Sequence, residues 1–424
     1  MLSYPLPKRQ AFSKRVETSI EIVVSAKPNP LWFLFLRFRC QTANLKIMRR
    51  YDLDWLRVLL FGLLVPYHAA IGFVSYGGRV YGYRNQEIAG DWLEKILFFS
   101  HNWRLPALFM ISGVGSWFLL KHGPKAFFKN RVIRLVIPLI VAMVIWNAPH
   151  GYYNLLASGN ELGITAFYKM WLSEFWWGHA RHLWFLINLF VYGLLLLAVA
   201  PYLRRLPNLS LSNFAFGLVI SAFILDFMFK PLSFERPLDF RDFWYIPFFL
   251  AGYLAMAQSE NFWLHLARLR WALLAFGVVT SLIFIPIYNS ILPAQAADLA
   301  NGGWVIKGWP YHRLITVTHG ITYSLNAAIW CGIVFGFAYH NLNKPSLLLA
   351  HLNRAVYPIF IFHFPVMMAG LYYLRSTSWH WALEMALLSV GTFFISYILH
   401  LAFDRSKLTR LMVGLSPDKS SRRK

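Results

Sequence analysis

Asp54, Arg57 and His68 all stand in one apolar stretch, YDLDWLRVLLFGLLVPYH, residues 51–68. An ionisable side chain inside a membrane-spanning segment is costly and by default marks a functional site. Arg57 and His68 are eleven positions apart, which on an α-helix is about 20° from eclipsed with a rise of about 16 Å. Asp54 precedes Arg57 by three positions, within ion-pair reach. The three therefore share one stripe of a helix. Pro66 should kink that helix just below His68, because it removes the donor to the Gly62 carbonyl. A buried, neutral imidazole is suited to general-base work. Read without chemistry, the same residues are a packing ion pair and a satisfied core histidine. The shared stripe and the kink favour chemistry.

Other candidates lie further along. Arg131 and Arg134 sit one turn apart at the mouth of the third apolar block. Planar guanidinium forks at that spacing suit phosphates, although plain positive-inside charge accounts for many arginines at such places. Arg104 stands at a helix end, where snorkelling to the interface is the simpler explanation. His182 and His363 lie in apolar runs, where a histidine is commonly a packing residue. The only cysteines are Cys40 and Cys331, too few for a disulfide framework or a Cys-based metal site. HARH, residues 179–182, is poor support for zinc on its own, so no metal is expected.

These residues must be held by helices in a bilayer. The chain has 424 residues, 58% of them apolar and 14% charged, against roughly a quarter charged in a soluble domain. The apolar residues come in blocks of about 20, the length that crosses a bilayer core. Spans are predicted near 54–75, 100–120, 132–149, 183–202, 211–229, 243–258, 271–292, 314–339, 355–374 and 379–402. The fold class is an all-α polytopic membrane protein with about ten transmembrane helices.

The net charge of +23 raises the question of nucleic acid, and its placement answers it. Seventeen of the 41 Lys and Arg lie in residues 1–50 and 405–424, and short basic clusters recur at every second loop. That pattern follows the positive-inside rule, puts both termini in the cytoplasm and leaves nothing for nucleic acid to explain. Residues 1–47 carry no signal peptide, since charges interrupt their apolar stretch LWFLFLRF. They read as a basic, poorly ordered extension, dispensable beside a second start at Met48. The residues after 404 read as a basic cytoplasmic tail, 405–424. Between residues 150 and 182 the segment AFYKMWLSEFWWG is too short and polar to span, and is expected to lie in the interface.

Arg57 and His68, with ten residues between them, resemble the R-x10-H motif of integral membrane acyltransferase family 3. RLPALFMISG (104–113), RVIRLVIP (131–138, like that family's R-x-x-R motif), HLWFL (182–186) and YPIFIFHFPV (357–366) agree with it. The likeness runs from about residue 50 to LMVGL near 415, and is nearest to the family's glucan succinyltransferase branch. It implies an O-acyltransferase domain over residues 48–404 in a bacterial cytoplasmic (inner) membrane. That domain would move an acetyl or succinyl group from acyl-CoA to hydroxyls of a periplasmic or cell-surface glycan. The resemblance makes His68 the essential base, with Asp54 and Arg57 beside it. Arg131 and Arg134 would grip the phosphates of acetyl-CoA or succinyl-CoA, and Arg104, His182 and His363 would contact substrate. The alternative class is a transporter or flippase of a lipid-linked glycan, for which buried charges and broken helices would also serve. No pair of matching halves with interrupted helices supports it.

Overall fold

The computed structural model describes residues 49–174, 177–229, 240–300 and 311–416, so the expectations for residues 1–47 lie outside it. All regular structure among the described residues is helical. In chain order the spans are α1 (Tyr51–Ile71), α2 (Asp91–Leu120), α3 (Pro124–Ala157), α4 (Gly178–Leu203) and α5 (Leu211–Phe229). They continue as α6 (Ile246–Ala255), α7 (Arg270–Ala300), α8 (Tyr311–Asn341), α9 (Leu347–Leu374) and α10 (Trp381–Phe403).

Eight helices among the described residues are long and apolar enough to cross a membrane. A ninth is reached when Glu260–Arg268 and Arg270–Pro286, bent by 60°, count as one span. The remaining expected span, 243–258, is shorter than a standard spanning helix. Phe240–Tyr245 is a 3-10 segment that leads into the ten residues of α6. The tighter winding stretches these sixteen residues over about 27 Å, most of a hydrocarbon core of about 30 Å. α6 is buried against α2 by backbone approach. A Cβ on Gly113 would meet the Phe249 carbonyl at 1.9 Å, and one on Gly252 would meet the Met110 carbonyl at 1.9 Å. Small residues at such a crossing are the usual way for helices to pack in lipid.

Two proline effects shape the helices that carry the candidate residues. α1 breaks at Leu63, where Pro66 removes the donor to Gly62, as expected from the sequence. α3 runs well beyond the expected 132–149 and contains two wider π-type turns, Val132–Val136 and Ala142–Trp146. Pro138 leaves the Arg134 carbonyl without its helical partner, and the Tyr357 hydroxyl donates to that carbonyl instead. Such π-turns are frequent at functional sites. The aromatic segment after α3 forms a short helix, Ile164–Ser173, whose Trp171 indole donates to the Met143 carbonyl at 3.0 Å.

Polar side chains tie the spans together. Asn326 of α8 donates to Asn102 of α2 at 2.8 Å and accepts from Thr280 and Ser281 of α7 at 3.1 and 2.9 Å. The two ends of the described chain lie at the same end of the bundle. The Tyr51 amide donates to Asn343 between α8 and α9 at 3.1 Å, and Arg354 of α9 pairs with Asp404 just after α10. Residues 405–416 fold back onto the bundle, with Val413 and Leu415 buried in its main core.

At the opposite end, Glu384 is fully buried and gathers three donors. The Asn85 side chain, the Thr377 hydroxyl and the Trp379 amide all reach its carboxylate. Glu384→Ala leaves those donors unpaired, each at about 1–3 kcal/mol when buried. A fall of several degrees in thermal midpoint in detergent is expected. An unchanged midpoint would mean water replaces the carboxylate at no cost.

Candidate active site

His68, His182 and His363 arrive from three separate elements. His68 comes from the half of α1 beyond the break, His182 from a 3-10 turn over Trp177–Leu183, and His363 from α9. The His68 and His363 ring centroids are 5.4 Å apart, and those of His182 and His363 are 5.0 Å apart. Phe364 completes the enclosure, stacked on His182 at 4.7 Å and edge-on to His68 at 5.7 Å.

One carbonyl sets two of the tautomers. The Phe360 carbonyl lies 2.7 Å from His363 Nδ1 and 3.1 Å from His182 Nε2. A carbonyl only accepts, so both of those nitrogens carry hydrogen. His363 Nε2 and His182 Nδ1 are then bare, and both are buried without a hydrogen-bond partner among the described residues. His68 differs from these two in being only half-buried, with Nδ1 bonded to the Tyr81 hydroxyl at 3.0 Å and Nε2 unengaged. Of the three, it is the most exposed.

Arg104 sits beside this cluster rather than at the membrane surface. It is 1% exposed, its guanidinium lies 3.7 Å over the Tyr67 ring and interacts with the Tyr67 hydroxyl, and Nη1 donates a long hydrogen bond to the Leu63 carbonyl at 3.4 Å. Its Nε is buried without a partner, and it makes no ion pair with a carboxylate among the described residues. Tyr67 in turn touches the His68 ring at 5.4 Å and bonds His101 Nδ1 at 3.2 Å. A buried, uncompensated cation next to an imidazole is poised for developing negative charge. The snorkelling explanation for Arg104 fails on this burial.

The turn that delivers His182 is strained. Arg181 has φ 49° and ψ −123°, the one positive φ outside glycine among the described residues. Asn147 pins it by donating to the His179 and Ala180 carbonyls at 2.8 and 3.0 Å. Strain of this kind costs about 1–3 kcal/mol and clusters at functional sites. Here it turns His182 toward His363.

Asp54 and Arg57 stand at the other end of α1, some 16 Å away by helical rise. Their ion pair is loose, at 3.7 Å. Asp54 is held instead by Arg49 at 2.8 Å and by Asn353 at 2.9 Å, and Arg57 leans on Asn353 at 3.4 Å. The ion pair expected from their spacing is thus secondary, because Asp54 keeps Arg49 and Asn353 without Arg57. Arg57 and Arg134 are close enough to repel, as are Arg134 and Arg131. Arg131 bonds the Ser116 hydroxyl, its Nε is buried without a partner, and neither arginine of α3 meets a carboxylate among the described residues.

The candidates thus fall into two groups, His68, His182, His363 and Arg104 together, and Asp54, Arg57, Arg131 and Arg134 nearer the end where the described chain begins and finishes. Sequence reasoning overlooked Tyr67, Tyr81, His101 and His150, which carry no spacing signal. Among the described residues, no three His, Cys, Asp or Glu are placed to hold a metal.

The described helices of this polytopic membrane protein enclose an imidazole cluster and a buried arginine without a carboxylate partner among the described residues. Residues 50–401 match the family described as "Acyltransferase domain", acyltransferase family 3, and the chain belongs to it. It is an integral membrane O-acyltransferase. The chain is similar to Glucans biosynthesis protein C of Escherichia coli K12, at 24% identity over 83% of this chain and 92% of that protein. The same figures hold for the proteins of that name from Escherichia coli O81 and Shigella dysenteriae serotype 1. No solved structure matches the chain.

Proposed function

We propose that this protein moves an acetyl or succinyl group from cytoplasmic acyl-CoA to hydroxyls of a periplasmic or cell-surface glycan, across the bacterial inner membrane. The name of its relatives points to a glucan. The observation that carries the reading is the placing of two sites at the two ends of the broken α1. One end holds Arg57 close to Arg131 and Arg134 of α3, the latter two without a carboxylate partner among the described residues, and the other holds the half-buried His68 beside the buried cation of Arg104. Both termini then lie in the cytoplasm, on the arginine side.

The residues present fit the donor. Arg131 offers a buried, unpartnered Nε and Arg134 an unpaired guanidinium, which suits phosphates. Acyl-CoA supplies the activated acyl carbonyl. His68 Nε2 takes the proton of the sugar hydroxyl as its oxygen attacks that carbonyl. Arg104 donates to the carbonyl oxygen as negative charge develops there. His68 then gives the proton to the departing thiolate sulfur, so the imidazole ends neutral. His182 and His363, with bare nitrogens facing inward, accept from sugar hydroxyls.

Mass spectrometry of surface and periplasmic glycans from cells with and without the protein tests the activity, alongside transfer from labelled acetyl-CoA and succinyl-CoA in nanodiscs. Identical glycans together with no transfer would overturn it. Arg131→Lys and Arg134→Lys keep the charge but lose the bidentate fork. Each is expected to weaken acyl-CoA binding about 10-fold, the lower range for a charge-assisted hydrogen bond. Unchanged affinity in both would return them to topology-setting charge.

A further inference from the structure

The last imidazole whose tautomer matters is His68, and its environment is built from an orphaned backbone group. α1 ends at Ile71 with tightened turns: the Gly72 amide bonds the Ala69 carbonyl at 3.0 Å and the Phe73 amide bonds the Ala70 carbonyl at 3.0 Å. The His68 carbonyl is left without its helical donor, as happens at helix C-termini. Tyr81, at the end of the short helix Gly77–Tyr81, fills the gap by donating its O–H to that carbonyl at 2.9 Å. The same hydroxyl lies 3.0 Å from His68 Nδ1.

Tyr81 has a single hydroxyl proton. Burial holds that phenol well above the ordinary range, so the proton stays on it. If Nδ1 were bare, the carbonyl and the ring nitrogen would compete for this one hydrogen and one acceptor would go unsatisfied. With hydrogen on Nδ1, the phenol oxygen accepts from the ring while its O–H serves the carbonyl, and every group is paired. Tyr81 is itself fixed, 3% exposed, edge-on to Phe364 at 5.5 Å, with its own carbonyl 3.1 Å from His150 Nε2.

We infer that Tyr81 is a positioning residue that locks His68 as the Nδ1–H tautomer, leaving the lone pair of Nε2 for the acceptor hydroxyl. This rests on the reading of His68 as base, and it assigns the phenol a second task. As Nε2 takes the hydroxyl proton, positive charge spreads over the ring, and the Nδ1–H bond to the Tyr81 oxygen strengthens. Losing the hydrogen-bond partner that orients a functional imidazole costs about 10- to 100-fold, by the measure of partners that orient metal-bound histidines.

The test uses the full chain in nanodiscs with 15N-labelled histidine, the His68 signals being those lost in His68→Gln. Protonated and bare ring nitrogens resonate in separate ranges. In the wild type His68 is expected to show Nδ1 protonated and Nε2 bare. In Tyr81→Phe it is expected to become a mixture of tautomers, with kcat about 10- to 100-fold lower and KM for acyl-CoA unchanged. A wild-type His68 protonated on Nε2 overturns the inference, even if Tyr81→Phe cannot be folded. So does a folded Tyr81→Phe protein with an unaltered spectrum and unaltered kcat. The spectrum is read on the resting protein, so an active His68→Gln variant would remove the base reading without touching the tautomer result.

Discussion

His68→Gln is expected to lower glycan acylation by about 10²- to 10⁴-fold, the range lost with a general base, while membrane abundance and acyl-CoA binding stay near normal. Glutamine keeps polarity and approximate size but cannot take a hydroxyl proton and return it. The environment of His68 separates it from its two neighbours. His182 and His363 are buried and spend one nitrogen each on the Phe360 carbonyl. His68 is half-buried, with its Nδ1 engaged and no hydrogen bond from Nε2 among the described residues. Single-turnover transfer from labelled acyl-CoA, on protein matched for folded fraction, measures the loss. A well-folded His68→Gln protein that still acylates at near the normal rate would remove His68 from the chemistry.

Arg104→Met should separate activity from stability. A buried guanidinium without a carboxylate is a cost to the fold, offset only in part by the Tyr67 ring and a long contact to the Leu63 carbonyl. Methionine of similar length removes that cost. The thermal midpoint is therefore expected to hold or rise, while kcat falls about 10²- to 10³-fold, as when one oxyanion donor is lost. A lower midpoint with transfer intact in the folded fraction would make Arg104 a packing residue. Arg57→Ala offers a contrast. Because Arg49 and Asn353 still hold Asp54, its main effect should fall on the donor side and not on stability.

Much of this was legible in the sequence because the bilayer imposes its own grammar. Every backbone group in lipid must be bonded within its segment, so apolar blocks about 20 residues long could only be helices. The break in α1 followed from Pro66 alone, since a missing N–H acts on the carbonyl four residues earlier. Arg57 and His68 each meet α9, at Asn353 and at His363, in keeping with the single stripe expected from helical period. The ends of helices were less legible. α2 starts at Asp91 and α9 at Leu347, both earlier than hydropathy suggests, because polar residues (Asp91 and Glu94 in α2, His351, Asn353 and Arg354 in α9) lower the hydropathy of helical turns that precede the apolar core. α6 fell short because 3-10 winding covers distance with fewer residues.

What the sequence could not reach is everything that depends on which helix neighbours which. His182 and His363 are 181 positions apart, and no spacing linked them until one turn and one proline-containing helix placed them 5.0 Å apart, sharing one carbonyl. Asp54 had a near neighbour in Arg57, yet its firmer partners are Arg49 and Asn353, the latter on a helix nearly three hundred residues later. Tyr81 lies thirteen positions after His68 with no period linking them, and only the return of the chain beneath α1 brings its hydroxyl to both groups of His68. Spacing along one helix is fixed by covalent geometry and can be read from sequence. Protonation states and unpaired charges are fixed by contacts between helices, and only the tertiary structure decides those.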